Sequence, residues 1–371
     1  MAELALVLLI GLLGPILALP KRFAIPVAVG ELLAGVAFGV SGFRLIDGSA
    51  TNLQLLSNIG FALVMMVAAS HIDVNRFANR DVFLEAVRNV GLSAILGLAV
   101  GLFIAFVTGA GNLWALFAVL VTSSSAAVVL PVFQNRPSTV GIEGFLAQVA
   151  LADLISVMML PLVSDPARIF QVGMGAAVLL AVSVLIFFVL KWLGRSGRWR
   201  TLRHLSRERH FGLELRLSLI LLLGLIWVAQ SFTVTILIAG FGLGLAIGAN
   251  GLPHRLARQL FAVSEGFFAP IFFVLLGASI DFREALTSPQ LLGMAALLGA
   301  GAVAVHLIGV AFGQRLSLAV AASAQLGVPS AAASIGVANG LLNPGQAGAV
   351  MLGALMTLLA TAWASAREQS V

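Results

Sequence analysis

Apolar runs of about 20 residues recur from one end of this 371-residue chain to the other, separated by short polar or basic breaks. A hydrocarbon core of about 30 Å takes roughly 20 apolar residues per helix. Helices satisfy their own backbone, which is how such runs persist in lipid. Thirteen spans follow, at roughly 2–19, 24–42, 54–70, 86–108, 113–134, 143–164, 170–192, 212–229, 232–249, 263–280, 290–312, 316–339 and 344–363. The weakest divisions are within 212–249, where Gln230 and Ser231 alone separate two spans, and near Leu342–Gly345. The pattern predicts an all-α polytopic membrane protein.

Composition agrees, with 60% hydrophobic and only 10% charged residues. The 21 Lys and Arg residues also test the span count. With the N-terminus outside and the C-terminus inside, all but Arg44, Arg168 and Arg283 fall on the cytoplasmic side, as the positive-inside rule requires. One span more or fewer would scramble that sorting. The net charge of +6 therefore reflects loop bias. It points to anionic lipid at the basic cytoplasmic loops, not to nucleic acid, because the Arg-rich stretch 194–211 is flanked by spans and lacks a nucleic-acid fold. The absence of cysteine excludes disulfides and thiolate metal sites. The first span is expected to be an outside-N helix, with a cleaved signal peptide as the alternative. No soluble regulatory domain is expected after Trp363.

Two halves of the chain are weakly similar. Glu31–Gly42 matches Gly240–Gly251, with Gly35, Gly39 and Gly42 falling on Gly244, Gly248 and Gly251. In the next span of each half, Ala68–Asp73 matches Leu276–Asp281 at nearly the same offset. Glycines so spaced also serve close helix packing, but two consecutive spans share the offset. Seven spans separate span two from span nine, and an odd number inverts topology. The repeats, approximately 24–164 and 232–363, are thus expected to be inverted, with linker helices and a basic loop over 165–231. Inverted repeats mark secondary transporters whose site lies near the midplane.

Polar residues inside spans carry the candidate chemistry. Asp153 stands within the apolar stretch Gly144–Val163. A carboxylate at that depth costs at least about 2.5–3.5 kcal/mol on insertion scales and usually faces a cavity that handles protons, ions or charged substrate. Spans five and twelve, symmetry mates in the repeat, both look interrupted: Thr122–Ser125 precede Pro131, and Gly327 and Pro329 interrupt the other. Proline removes a backbone donor, and paired breaks expose helix ends and carbonyls that coordinate ions.

Together these elements resemble the monovalent cation/proton antiporters of the second subclass, which include bacterial sodium/proton antiporters and Kef-type potassium efflux membrane domains. The resemblance rests on Ile25–Gly35, Ser124-Ser125, Ala152-Asp153 and Gly266–Gly277 leading to Asp281. It implies a 13-helix fold with crossed broken helices, a six-helix core, a separate dimerisation domain and elevator-type alternating access. The chain departs from the family at three positions. Ala152 stands where a second polar residue is usual, His306 where many members carry Lys or Arg, and Gly327 where an acid is often found.

The expected function is exchange of a monovalent cation, Na+ or K+, for H+, with Asp153 as the shared site. Competition at one carboxylate couples the two fluxes. Ser124 and Ser125 are candidate oxygen ligands. His306 is the candidate pH sensor or conditional charge partner, since imidazole titrates near pH ~6.5. Glu31 is placed in a cytoplasmic funnel or in a pair with a loop arginine. Glu265 is assigned a helix N-terminal role, and His71, Asp73 and Asp281 interfacial ones. No catalytic constellation, cofactor or resident metal is expected. The setting is the cell membrane of a bacterium or archaeon, with a homodimer as the assembly. The rival readings are transport of another solute, such as an organic anion, and a non-transporting membrane sensor.

Overall fold

The structure is a computed structural model that describes residues 1–19, 26–46, 48, 51–72, 79–133, 140–195, 211–232, 234–251 and 253–369. Asp73, Lys21, Arg22, Arg76, Arg136 and most of the basic stretch 194–211 lie outside them. Among the described residues the ordered elements are helices, with no strand.

The helices are α1 (Ala2–Gly11), α2 (Leu13–Ala18), α3 (Val27–Phe38), α4 (Thr51–Ser70), α5 (Arg80–Thr108), α6 (Trp114–Thr122), α7 (Ala126–Phe133), α8 (Val140–Ser164) and α9 (Ile169–Arg195). They continue as α10 (Leu213–Ser231), α11 (Ile236–Ala249), α12 (His254–Val263), α13 (Ala269–Ser279), α14 (Phe282–Thr287) and α15 (Pro289–His306). The last four are α16 (Ile308–Ala311), α17 (Leu316–Ala322), α18 (Gly327–Ala338) and α19 (Pro344–Gln369). Among the described residues, ten helical stretches are long and apolar enough to cross a membrane. Three shorter apolar helices, Ala2–Ala18, Val27–Phe38 and Ile236–Ala249, stand where the sequence places spans one, two and nine.

Two bundles form. In the first, α3 lies along α13 and α11 along α4, while α13 also packs on α4, α2 on α3 and α10 on α11. Helix α11 thus lies against α4, the span after α3, and α3 lies against α13, the second half of the span after α11. Glycine makes both contacts close. A Cβ on Gly35 would fall 2.2 Å from the Val274 carbonyl oxygen, and one on Gly244 2.3 Å from that of Met66. In the second bundle α5 packs on α6 and α8, α15 on α5, α6 and α19, and α18 on α8 and α19. Helix α9 reaches from α8 to α11 and so joins the two.

Inside the second bundle two helices are broken. The chain leaves α6 at Ser123, whose ψ of 151° is extended, and resumes as α7 at Ala126. It leaves α17 at Ser323 and resumes as α18 at Gly327. The stops are serine stops. Ser123 Oγ donates to Leu120 O at 2.8 Å, and Ser323 Oγ, 200 residues later, donates to Val320 O at 2.7 Å. Side-chain bonds of this kind compete with helix continuation. The prolines do not make the breaks. Pro131 lies within α7, and Pro329 lies in the first turn of α18, where an N–H has no intrahelical partner to lose. Gly327 is the first residue of α18.

Candidate functional site

Four helix ends meet where the two breaks cross. The last carbonyls of α6 and α17 carry partial negative charge and the first N–H groups of α7 and α18 partial positive charge. Each C-terminal end is capped by a side chain from the opposite break. Ser124 Oγ donates to Ala322 O at 2.7 Å, while Gln325 Nε2 donates to Leu120 O at 2.5 Å and Ser123 O at 3.3 Å. Both caps are neutral. The backbone of Gln325 is itself fixed, since its N–H donates to Thr357 Oγ1 of α19 at 3.2 Å.

Asp153 projects from α8 to the start of α7, where its Oδ2 accepts the Ala126 N–H at 2.9 Å. It is only 6% exposed. A carboxylate at a helix N-terminus gains both a charge-assisted hydrogen bond and the favourable end of the dipole. The neighbouring Ala152 is buried and offers no polar side chain. The structure therefore brings Asp153, Ser124 and Ser125 to one crossing, together with two sets of helix-end carbonyls.

Two cavities lie between the bundles, and the first reaches the crossing at Ser125 and Ala126. This one, of about 420 Å³, is lined by Ser125, Ala126, Leu326 and Gly327 from the broken helices and by Pro26, His71 and Glu265 from the first bundle. The other, about 590 Å³, is lined by Gln54, Ser57, Gln230, Thr235, Ser330 and Ser334 among others. They lie toward opposite ends of α4 and α13. Phe272 lines both, and its ring stacks on Phe61 with centroids 4.4 Å apart.

Other expected positions fall differently. Glu31 is 1% exposed and its Oε2 has no hydrogen-bond partner among the described residues. It is pressed against Gly14, where an added Cβ would lie 2.4 Å from its Cγ. It is absent from the lining of the 420 Å³ cavity, where the acid is Glu265, carried on a π-helical turn, Ser264–Phe268, between α12 and α13. His306 is buried at the end of α15, with Nδ1 2.8 Å from Ala302 O of its own helix. One and a half turns earlier, Gly301 packs beside Val121 of α6, which sets this part of α15 near the first break. Among the described residues no hydrogen bond joins the ring to Asp153; Asp153 bonds Ala126 instead. Asp281 caps α14 by accepting from Arg283 N and Glu284 N.

The sequence alone had not assigned Gln325 a role, nor had it singled out a buried amide cluster. Gln148 Oε1 of α8 accepts from Asn89 Nδ2 at 3.1 Å and Gln314 Nε2 at 2.9 Å, and Arg88 Nε donates to Asn89 Oδ1 at 3.2 Å. Polar residues at helical spacing in α5 and α8 were the available signal. Among the described residues no group of three or more His, Cys, Asp or Glu side chains could hold a metal ion.

Known proteins resemble this chain in sequence or in fold. A putative Na+/H+ antiporter, YjbQ, of Bacillus subtilis is 25% identical over 97% of this chain, which spans 62% of that longer relative. The Na+/H+-K+ antiporter GerN of Bacillus cereus is 25% identical, with 92% of this chain and 90% of the relative aligned. The structure of the sodium proton antiporter MjNhaP1 from Methanocaldococcus jannaschii superposes with a TM-score of 0.66 at 17% identity, covering 99% of this chain and 96% of that one. That likeness concerns the fold. The sequence model described as "Sodium/hydrogen exchanger, transmembrane" matches residues 6–366, nearly the whole chain, and to that family this protein belongs.

Proposed function

We propose that this chain is a secondary-active antiporter that exchanges one monovalent cation, Na+ or K+, for one proton, with Asp153 as the site both compete for. The family is one of transporters, not enzymes. The observation that carries the reading is the placement of Asp153: a buried carboxylate at the start of α7, beside helix-end carbonyls that are covered only by neutral hydroxyl and amide caps. Such a site attracts a cation and supplies oxygen ligands for it. The same oxygen takes a proton when the cation leaves. With a single carboxylate, one bound cation excludes one proton, so exchange is electroneutral.

Alternating access is supported by the two cavities between the bundles, with the Phe61–Phe272 stack between them. In this reading the second bundle moves as an elevator against the first, and the reciprocal packing of α3 and α11 reflects an inverted repeat. The 420 Å³ cavity then faces the cytoplasm, since His71 and Glu265 sit at the ends of helices that the positive-inside rule places there. The first bundle is the scaffold for a homodimer in the cell membrane, with the basic loops against anionic lipid. Similarity to Na+/H+ antiporters supports sodium, and similarity to the Na+/H+-K+ antiporter GerN supports potassium as well.

Purified protein in sealed liposomes tests this. A preset pH gradient should collapse on addition of NaCl or KCl and persist with choline chloride. A gradient that no monovalent metal chloride dissipates, with uptake of an organic anion in its place, contradicts the proposal.

A further inference from the structure

We propose that Gln325 sets the cation affinity of the crossing, because its carboxamide occupies carbonyl oxygens that a bound cation would otherwise take. The inference rests on the crossing being the cation site. Gln325 Nε2 lies 2.5 Å from Leu120 O and 3.3 Å from Ser123 O, across 205 and 202 residues of chain. Both partners are carbonyls, which only accept, so the NH2 end of the amide must face them. The side chain is buried, and its backbone is held by Thr357 of α19, so its reach is fixed by packing on both sides.

A neutral amide covers these oxygens without neutralising them. The α6 end retains its share of about half a negative charge, which a cation would meet more fully. Gln325 is also amphoteric. The NH2 group holds the two carbonyls in the absence of a cation, and rotation of the same group presents Oε1, an oxygen ligand. At the other break the equivalent cap is Ser124 on Ala322 O, a hydroxyl that likewise donates or accepts. Gln325 therefore competes with the cation when its NH2 faces inward and coordinates it when turned. Cation affinity is the difference between these states.

The test is the apparent KM and maximal rate of cation-dependent proton movement in liposomes for Gln325→Glu and Gln325→Lys, beside the thermal stability of each variant with and without cation. An ionised carboxylate attracts a cation more strongly than a neutral amide oxygen does, so Gln325→Glu should lower the KM about tenfold at alkaline pH, which is about 1.4 kcal/mol. Gln325→Lys places a tethered ammonium on the carbonyls; it should remain folded, lose cation-dependent exchange and lose cation-induced stabilisation. A merely structural cap predicts the reverse order, because Lys can donate to both carbonyls and an ionised Glu cannot. That reverse order, or an unchanged KM in both variants, overturns the inference while leaving exchange through Asp153 standing. If Gln325→Glu does not fold, Gln325→Lys decides alone: wild-type exchange in it overturns the inference. Wild-type protein with no cation-dependent exchange removes both this inference and the reading beneath it.

Discussion

Gly244→Ala tests the packing that holds the first bundle. An added Cβ would sit 2.3 Å from the Met66 carbonyl oxygen and 2.8 Å from the Ala69 Cβ. Ordinary contact begins near 3.4 Å, so α11 and α4 must separate by about 1.1 Å at this point. A gap of 0.5–1 Å forfeits roughly a quarter to a half of the dispersion energy of the atoms it parts, and overpacking typically costs about 1–3 kcal/mol. Gly35→Ala should behave alike, since its Cβ would fall 2.2 Å from Val274 O. Gly91→Ala is the control. Nothing lies within 4 Å of its built Cβ, and removing a helix-interior glycine should stabilise by roughly 0.5–1 kcal/mol. Heating detergent-solubilised protein and measuring the monodisperse fraction by chromatography would report the order. The expectation is a clear loss for both interface variants and none for the control. Equal stability of Gly244→Ala and Gly91→Ala would refute the close approach of α11 to α4.

Further outcomes follow from the site. Phe272→Ala should cost roughly 3–5 kcal/mol as a buried Phe→Ala change and join the two cavities, giving a proton leak without added cation; tight liposomes from folded variant would deny the stack its barrier role. His306→Gln should retain exchange with its pH profile unchanged, because the ring is buried, held on Ala302 O of its own helix and not hydrogen-bonded to Asp153. A displaced pH profile in that variant would make His306 a titrating partner of the site. An imposed membrane potential without chemical gradients should drive no exchange in well-sealed liposomes, and potential-driven exchange would require a second titrating group.

Ten spans were legible because lipid demands long apolar runs, and the shorter α3 and α11 stand within stretches the same apolar pattern marked out. Gly35 and Gly244 proved to be points of near backbone contact, a reason for glycine that periodicity could suggest but not locate. The broken helices were legible as a pair and misplaced in detail. Proline is the conspicuous breaker in a sequence, yet Ser123 and Ser323 end the helices by bonding back to Leu120 and Val320. Asp153 was legible as a charge out of place. Gln325 was not, since its partners lie some two hundred residues away and exist only where the breaks cross. Glu31 was assigned by depth along its helix, but depth does not say which way a side chain faces. It lies against Gly14, and Glu265 lines the cavity.

The central claim is that one carboxylate binds cation and proton in turn, and Asp153→Asn tests it most directly. Asn is nearly isosteric, and its carbonyl oxygen can still accept the Ala126 N–H now held at 2.9 Å, so α7 keeps its cap and the protein its fold. It cannot gain or lose the proton. In liposomes carrying an imposed pH gradient, the variant should be monodisperse, equally incorporated and without cation-dependent proton movement at any pH. Exchange at the wild-type rate in Asp153→Asn would contradict the account.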